Sequence, residues 1–364
     1  MDPSLAPSPS LADPLSTSTY FSTPADLSPD LDALLDLASR GQWRSLLDRL
    51  SRSKSTHSSL SPHRRLLYSA LSVLSLFKLR RFSDASRELD SLLDADSAAG
   101  FDSPLFRFES YPEFYPSRSG SFVPFALRFI HAELPERLGD RAKTLDRLYS
   151  LLDLVRSKMA DSPNPNYNPW QRREAFVVSA ICANHFAHRE LEVALALIRQ
   201  LLVKSPSDPV LLSRLAYVQL QIGDLDAAKA SFKRVELILE KKGGDLELEN
   251  LVGRNRALGF VVAKDYVSAV REYEVCIERD PADVVAVNNK ALCLMYSRDL
   301  SDAIKVLEGA LERVPTAALN ETLIVNLCSM YELAYVNHEN VKKSLSNWIA
   351  KVAPDDFDPT CTRI

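Results

Sequence analysis

The closest grouping of metal-handling side chains is Cys182, His185 and His188, spaced C-x-x-H-x-x-H. A thiolate with two imidazoles is a donor set that suits zinc. On one helix, however, residues six apart stand about 240° around the axis, so the first and third do not converge on one ion. Packing is the better reading for Cys182 and His185, and a turn position for His188. The six histidines offer no nucleophile paired with a base. No G-x-x-x-x-G-K-[ST] and no G-x-G-x-x-G after a strand occurs, and the adjacent Gly243 and Gly244 belong to a turn. These residues predict no enzyme, no metal and no cofactor.

A second stretch, "VNNKALCLMYSRDLSDAIKVLEGALERVP" (Val287–Pro315), mixes amide, amine, thiol and thioether groups into an apolar helical pattern. A third is basic: Arg44, Arg49, Arg52, Lys54, His57, His63, Arg64 and Arg65 surround a serine-rich loop. No aromatic residue interleaves it, so a solvated, phosphorylatable loop is favoured over nucleic acid or anionic lipid. The formal charge of −4 implies no general attraction to nucleic acid.

The elements that would position these groups are helices. Ten glycines among 364 residues are few for a fold of tight β-turns, and an apolar fraction of 46% is ample for a core. The five cysteines, Cys182, Cys276, Cys293, Cys328 and Cys361, are odd in number and scattered, as reduced thiols would be. No apolar run reaches the ~18 residues of a membrane span. Residues 1–28, rich in proline and serine, read as a disordered segment without the features of a secretory signal or transit peptide, and Ser28-Pro29 reads as a helix start. A cytosolic location follows as the expectation.

Repeat starts at Ala175, Pro209, Asn250, Val284 and Ala318 give spacings of 34, 41, 34 and 34, the longer one holding the turn insertion "EKKGGDLE". Eight residues into four successive units lie Cys182, Ala216, Ala257 and Ala291; twenty in lie Ala194, Ala228, Ala269 and Ala303. Small residues at such positions let two helices cross closely. Ile198, Phe232, Tyr273 and Leu307 fill the grooves beside them. Between paired helices the chain reads "RELEVA", "GDLDAA", "KDYVSA" and "RDLSDA", with an acidic residue second that suits the positive end of the following helix. Pro206, Pro281 and Pro315 stop three helices.

These units resemble the tetratricopeptide repeat. The resemblance implies an all-α fold, a right-handed α-solenoid of stacked helical hairpins, with architecture accounting for most of the Val287–Pro315 stretch. Divergent hairpins with long loops are expected over 29–160, turning at Gly41, before Ala85 and at Gly139, where Thr144 replaces alanine and Pro135 should kink or end its helix. A Pro/Asn-rich loop at 161–170, four repeats over 171–317, a capping hairpin over 318–353 with Trp348 and Ile349 inward, and a tail over 354–364 complete the organisation. "SRSKSTHSSLSP" and "DADSAAGFDSP" read as further loops.

Repeat arrays of this kind bind partners. The inner-face candidates are Arg214, Tyr217, Arg254, Asn288, Asn289 and Leu292. The loop Tyr111–Pro124, with Tyr111, Tyr115 and Phe122, either anchors a partner or packs on its own hairpins. A peptide-binding adaptor or co-chaperone with a two-carboxylate clamp would use Asn289 and Arg254, but Leu319 and Leu323 stand where cations are needed.

More particular stretches, "YPSRSGSFVPFALRFIHAEL", "LDRLYSLL", "WQRREAFV", "VNNKALCLMY" and "ALNETLIVNLCSMYEL", resemble the subunit-12 family of the trafficking protein particle (TRAPP) tethering complex, over about Leu31 to the C-terminus. That resemblance implies a non-catalytic scaffold in ER-to-Golgi transport and autophagy. Its partners would be other large TRAPP subunits and, indirectly, Rab GTPases. It would sit in the cytoplasm, peripheral to ER-Golgi intermediate and Golgi membranes.

One test concerns the phase of the repeat. Ala269→Trp should overpack a crossing and lower stability by ~1–3 kcal/mol or more. An unchanged melting temperature would show the phase to be misplaced.

Overall fold

The computed structural model describes residues 31–53, 61–93, 100–160, 169–243 and 245–363. The expected disordered segment 1–28, the Ser28-Pro29 start, Gly244, and the parts of the three expected loops at 54–60, 94–99 and 161–168 lie outside the described residues. Those that are described form an all-α structure, with one isolated bridge between Arg107 and Ser121 in place of a sheet. Chain contacts divide it into two compact units: Met1–Leu151 with Lys351–Phe357, and Leu152–Ala350 with Asp358–Ile364.

The first unit contains α1 (Leu31–Ser39), α2 (Trp43–Ser53), α3 (Pro62–Lys78), α4 (Phe82–Leu92), α5 (Phe125–Arg137) and the start of α6 (Arg141–Ala160). The second contains the rest of α6, then α7 (Pro169–Ala187), α8 (Leu191–Lys204), α9 (Pro209–Ile222), α10 (Leu225–Lys242), α11 (Leu246–Val262), α12 (Tyr266–Arg279), α13 (Val284–Tyr296) and α14 (Leu300–Arg313). It ends with a short α15 (Pro315–Ala318), α16 (Glu321–Ala334) and most of α17 (His338–Val352). Within this unit each helix from α7 to α14 packs on the next, the stacked-hairpin architecture of a tetratricopeptide-type α-solenoid.

Small side chains permit that packing. Ala194, Ala216, Ala228, Ala257, Ala269, Ala291 and Ala303 are wholly buried. Cys182 is half-buried, and its thiol donates to the Ala194 carbonyl across the hairpin at 3.6 Å. Gly253 marks a closer approach still: a Cβ there would stand 2.6 Å from Cys276 Sγ. The 41-residue spacing is absorbed differently from the expected turn insertion, because Glu240, Lys241 and Lys242 are helical and α10 runs to 18 residues where α8, α12 and α14 have 14. The added turn of α10 takes up four of the seven extra residues, and α11, with 17 residues where α9 has 14, takes up the other three.

One turn geometry closes seven hairpins. Gly41, Arg80, Gly139, Arg189, Gly223, Lys264 and Arg298 are left-handed, with φ from 59° to 94°. The N–H of the next residue then bonds to the carbonyl five positions back, as in Asp224 to Gln219, Asp265 to Phe260 and Asp299 to Leu294, each at 2.9 Å. The acidic residue that follows caps the second helix at Asp140, Asp224, Asp265 and Asp299. Glu190, expected to act alike, makes no such cap; its longer side chain reaches back to His185 Nδ1. Pro135 does not end α5 early either. The helix passes through it to Arg137, and the Pro135 carbonyl receives the turn N–H of Asp140.

The expected tail at 354–364 is no loose end. In the first unit, Arg44 N–H donates to Asp355 at 2.9 Å and Lys78 Nζ lies 3.1 Å from Asp356. In the second, Cys361 and Thr362 are buried in a 3-10 turn packed on α16, and Asp358 N–H donates to Glu321. Ile349 is buried and Trp348 half-buried.

Gly253→Ala tests the tightest crossing. The helix gain of ~1 kcal/mol from alanine should be outweighed by ~1–3 kcal/mol of overpacking against Cys276. In urea unfolding, Gly253→Ala combined with Cys276→Ala should lose less than the two single losses summed. A stabilised Gly253→Ala would mean that the helices do not meet there.

Candidate partner-binding surface

The first helices of the repeats, α9, α11, α13 and α16, carry most of the inner-face candidates, and neighbouring helices join through polar side chains. Asn255 Nδ2 on α11 donates to Ser213 Oγ on α9 at 2.8 Å. Asp283, at the start of α13, accepts from Asn250 Nδ2 at 3.2 Å and from the Arg254 guanidinium, and caps its own helix through Ala286 N–H at 3.0 Å. Asn326 Nδ2 on α16 donates to Asn288 Oδ1 at 2.7 Å, and Asn288 Nδ2 to Asn289 Oδ1 at 3.3 Å. Asn289 in turn donates to Tyr273 OH at 3.4 Å; burial pushes that phenol up to about 12.

This ladder changes the meaning of half the candidate set. Arg254, Asn288 and Asn289 join successive hairpins, and Asn288 is buried. Leu292 is half-buried. Arg214 is exposed, and Tyr217, 41% exposed, lies 5.6 Å from the Phe186 ring. Of the six, Arg214 and Tyr217 therefore offer the most accessible polar and aromatic surface. The clamp geometry is also spent: Arg254 is held by Asp283, and Leu323 is wholly buried.

The loop candidates separate similarly. Phe122 is only 6% exposed and belongs to the core formed with Phe101, Phe106, Leu127 and Ile130, so its assignment as a partner contact is corrected. Phe122 N–H also donates to the Phe106 carbonyl at 3.0 Å, and this pairing draws its ring inward. Tyr115 and Tyr111 are half-buried around it; Tyr115 OH accepts from His63 N–H at 3.0 Å. The accessible ring of the loop is Phe114, at 51%. Burial and then the Arg147, Lys143 and Arg128 charges bring His131 on α5 down to about 4, and its ring meets Phe101 edge-on.

The Cys182, His185 and His188 side chains are dispersed among other partners. His185 Nδ1 faces Glu190, His188 Nδ1 meets the Asn184 carbonyl at 3.0 Å, and burial raises the Cys182 thiol. Among the described residues no group of three or more His, Cys, Asp or Glu side chains is placed to hold a metal ion. A groove of about 600 Å³ between α12, α13 and α14 holds Glu274, Lys290, Asp302 and Lys305, but these pair with each other at 3.0 and 2.8 Å. No helix of the described residues is long and apolar enough to cross a membrane.

No family model matches the chain. It is 29% identical over 307 residues to trafficking protein particle complex subunit 12 of mouse, covering 79% of this chain and 38% of that protein. The human counterpart is 28% identical over 307 residues, covering 79% and 41%. The chain is a sequence relative of trafficking protein particle complex subunit 12. It spans about two fifths of the length of these curated relatives. Among solved structures, a tetratricopeptide repeat protein from Parabacteroides merdae has a TM-score of 0.44 at 13% identity, covering 83% of this chain and 96% of that one. The C-terminal part of a repeat-containing protein from Cytophaga hutchinsonii has 0.43 at 13%, covering 82% and 99%.

The stretches that carry the family resemblance hold much of the polar framework. "VNNKALCLMY" contributes Asn288 and Asn289 to the ladder. "ALNETLIVNLCSMYEL" contributes Asn326, the α16 cap Asn320, and Glu321, which receives Asp358. In "YPSRSGSFVPFALRFIHAEL", left-handed Gly120 accepts the Phe108 N–H at 3.0 Å. Asp283, Asn250, Asn255, Ser213 and Asn326 escaped the sequence reading; polar residues recurring on otherwise apolar first helices were the available signal.

Asp283→Ala should lower stability by about 2–4 kcal/mol, because it removes a helix cap, leaves the Arg254 guanidinium without its carboxylate and leaves Asn250 Nδ2 with only the Cys276 carbonyl. Asp302→Ala, at an exposed surface pair, should leave the melting temperature almost unchanged. Equal effects in thermal unfolding would show that the ladder adds nothing to stacking.

Proposed function

We propose that this chain is a non-catalytic scaffold subunit of a TRAPP-type vesicle-tethering complex, serving ER-to-Golgi transport and autophagy. The single observation supporting this most directly is the sequence relationship to subunit 12 over 79% of the chain. The arrangement of side chains agrees with a docking role. Many polar groups on the first helices are used in joining repeats, while rings and aliphatic groups stand outward at Phe114, Tyr217, Tyr296 and Leu333. Such surfaces suit affinity spread over a wide contact area.

Its partners are other large subunits of the tether, with Rab GTPases engaged indirectly through the remainder of the complex. It works in the cytoplasm, peripheral to ER-Golgi intermediate and Golgi membranes. Arg214 and Tyr217 are the proposed contacts on the repeats, and Phe114, Tyr111 and Tyr115 on the loop. The working organisation keeps divergent hairpins over 29–160, repeats over 171–317 and a capping hairpin over 318–353. A peptide-binding adaptor is the second reading, favoured by the accessible Tyr217 ring beside Phe186.

Affinity purification of the tagged full chain, with identification of captured proteins by mass spectrometry, separates the readings. Tether subunits should be recovered, and Arg214→Glu with Tyr217→Ala should reduce that recovery at least fivefold without shifting the melting temperature. Recovery of chaperones with no tether subunit would reject the scaffold reading.

A further inference from the structure

Within the first unit, the start of α2 lacks the capping carboxylate that four of the later hairpins possess. At Asp140, Asp224, Asp265 and Asp299 the residue after the left-handed turn supplies a capping carboxylate; at the corresponding place in the first hairpin stands Gln42. The missing carboxylate comes from Asp355, which accepts from Arg44 N–H at 2.9 Å across 311 residues of sequence and lies 3.5 Å from Arg44 Nε. Asp356 pairs with Lys78 at 3.1 Å, and the same ammonium stands 5.7 Å from the centre of the Trp43 ring. The acidic segment is itself a turn, closed by Phe357 N–H donating to the Pro354 carbonyl at 3.1 Å.

The occupant leaves one group unanswered. Trp43 is 7% exposed, and its buried Nε1 has no hydrogen-bond partner. Nε1 and Pro354 Cβ each stand 3.9 Å from where a Gly41 side chain would begin, so the proline occupies the vicinity in which an acceptor would be useful. A buried N–H without an acceptor is costly. The site thus matches an acidic turn in charge and helix-end geometry while its present occupant satisfies it incompletely.

We propose that the first turn of α2, Trp43 and Lys78 form a recognition site for an acidic β-turn, filled in cis by Pro354–Phe357, and that a partner protein presenting two adjacent carboxylates with an acceptor for the indole N–H takes its place. The cis turn is a built-in competitor. The partner bound here is recognised by the carboxylates and the acceptor, independently of the complex to which it belongs.

The test uses the full chain with Asp355→Ala and Asp356→Ala, checked for helicity by circular dichroism, and a fluorescein-labelled peptide of sequence VAPDDFDPT as probe. Anisotropy should show saturable binding, at least tenfold weaker to the wild-type chain and lost when Lys78→Glu is added. A peptide carrying Pro354→Asn should bind at least threefold more tightly, because the amide carbonyl reaches Trp43. Amide exchange in the first turn of α2 should accelerate in the double variant and slow again with peptide. The wild-type chain supplies an arm that needs no substitution: saturating Pro354→Asn peptide should speed exchange at Phe357 as the cis turn leaves. Absent binding, equal binding to both chains, no gain from Pro354→Asn, or unchanged exchange at Phe357 would each overturn the proposal.

Discussion

The close crossing of the two helices in each repeat is the constraint from which the rest follows. Helix axes approach as near as the side chains between them permit, and alanine or glycine at the contact permits the least separation. At Ala194, Ala228, Ala269 and Ala303 the second helix meets the first over wholly buried methyl groups. At Gly253 even a methyl group would strike Cys276. Larger neighbours such as Tyr273 and Leu307 then fill the flanking grooves, and each hairpin presents a shaped face to the next.

Apolar packing alone leaves neighbouring hairpins some freedom to slide, since hydrophobic burial is not directional. The polar ladder restricts it. Ser213 with Asn255, Asp283 with Asn250 and Arg254, and Asn288 with Asn326 pair only in one register of the first helices. Similar logic operates on α7, where burial pushes the Glu174 carboxyl up but hydrogen bonds from Lys204 on α8 and Arg156 on α6 outweigh it and hold it below the usual range. At the capping hairpin, buried Lys342 is satisfied by Glu332 and the Arg363 carbonyl.

The helical content and the period of small residues were legible because they depend on local spacing, which a linear text preserves. The left-handed turns at Arg80, Arg189, Lys264 and Arg298 were not, since glycine is the usual sign of that conformation and a cation conceals it. Arg254 and Asn288 looked like a free binding face because a sequence does not say that Asp283 and Asn326 lie opposite. Phe122 looked available because aromatic residues in a long loop have no periodicity to mark the buried ones. The Asp355 cap is hidden for the simplest reason, its remoteness along the chain from the helix it completes.

That remoteness has a consequence for biosynthesis. The ribosome delivers α2 long before Asp355, and at ~5–20 residues per second the 311 intervening positions take about 15–60 s to emerge. During that interval the nascent first hairpin has a naked helix start and an indole awaiting cover, a client surface for chaperones that vanishes only once Asp355 has emerged.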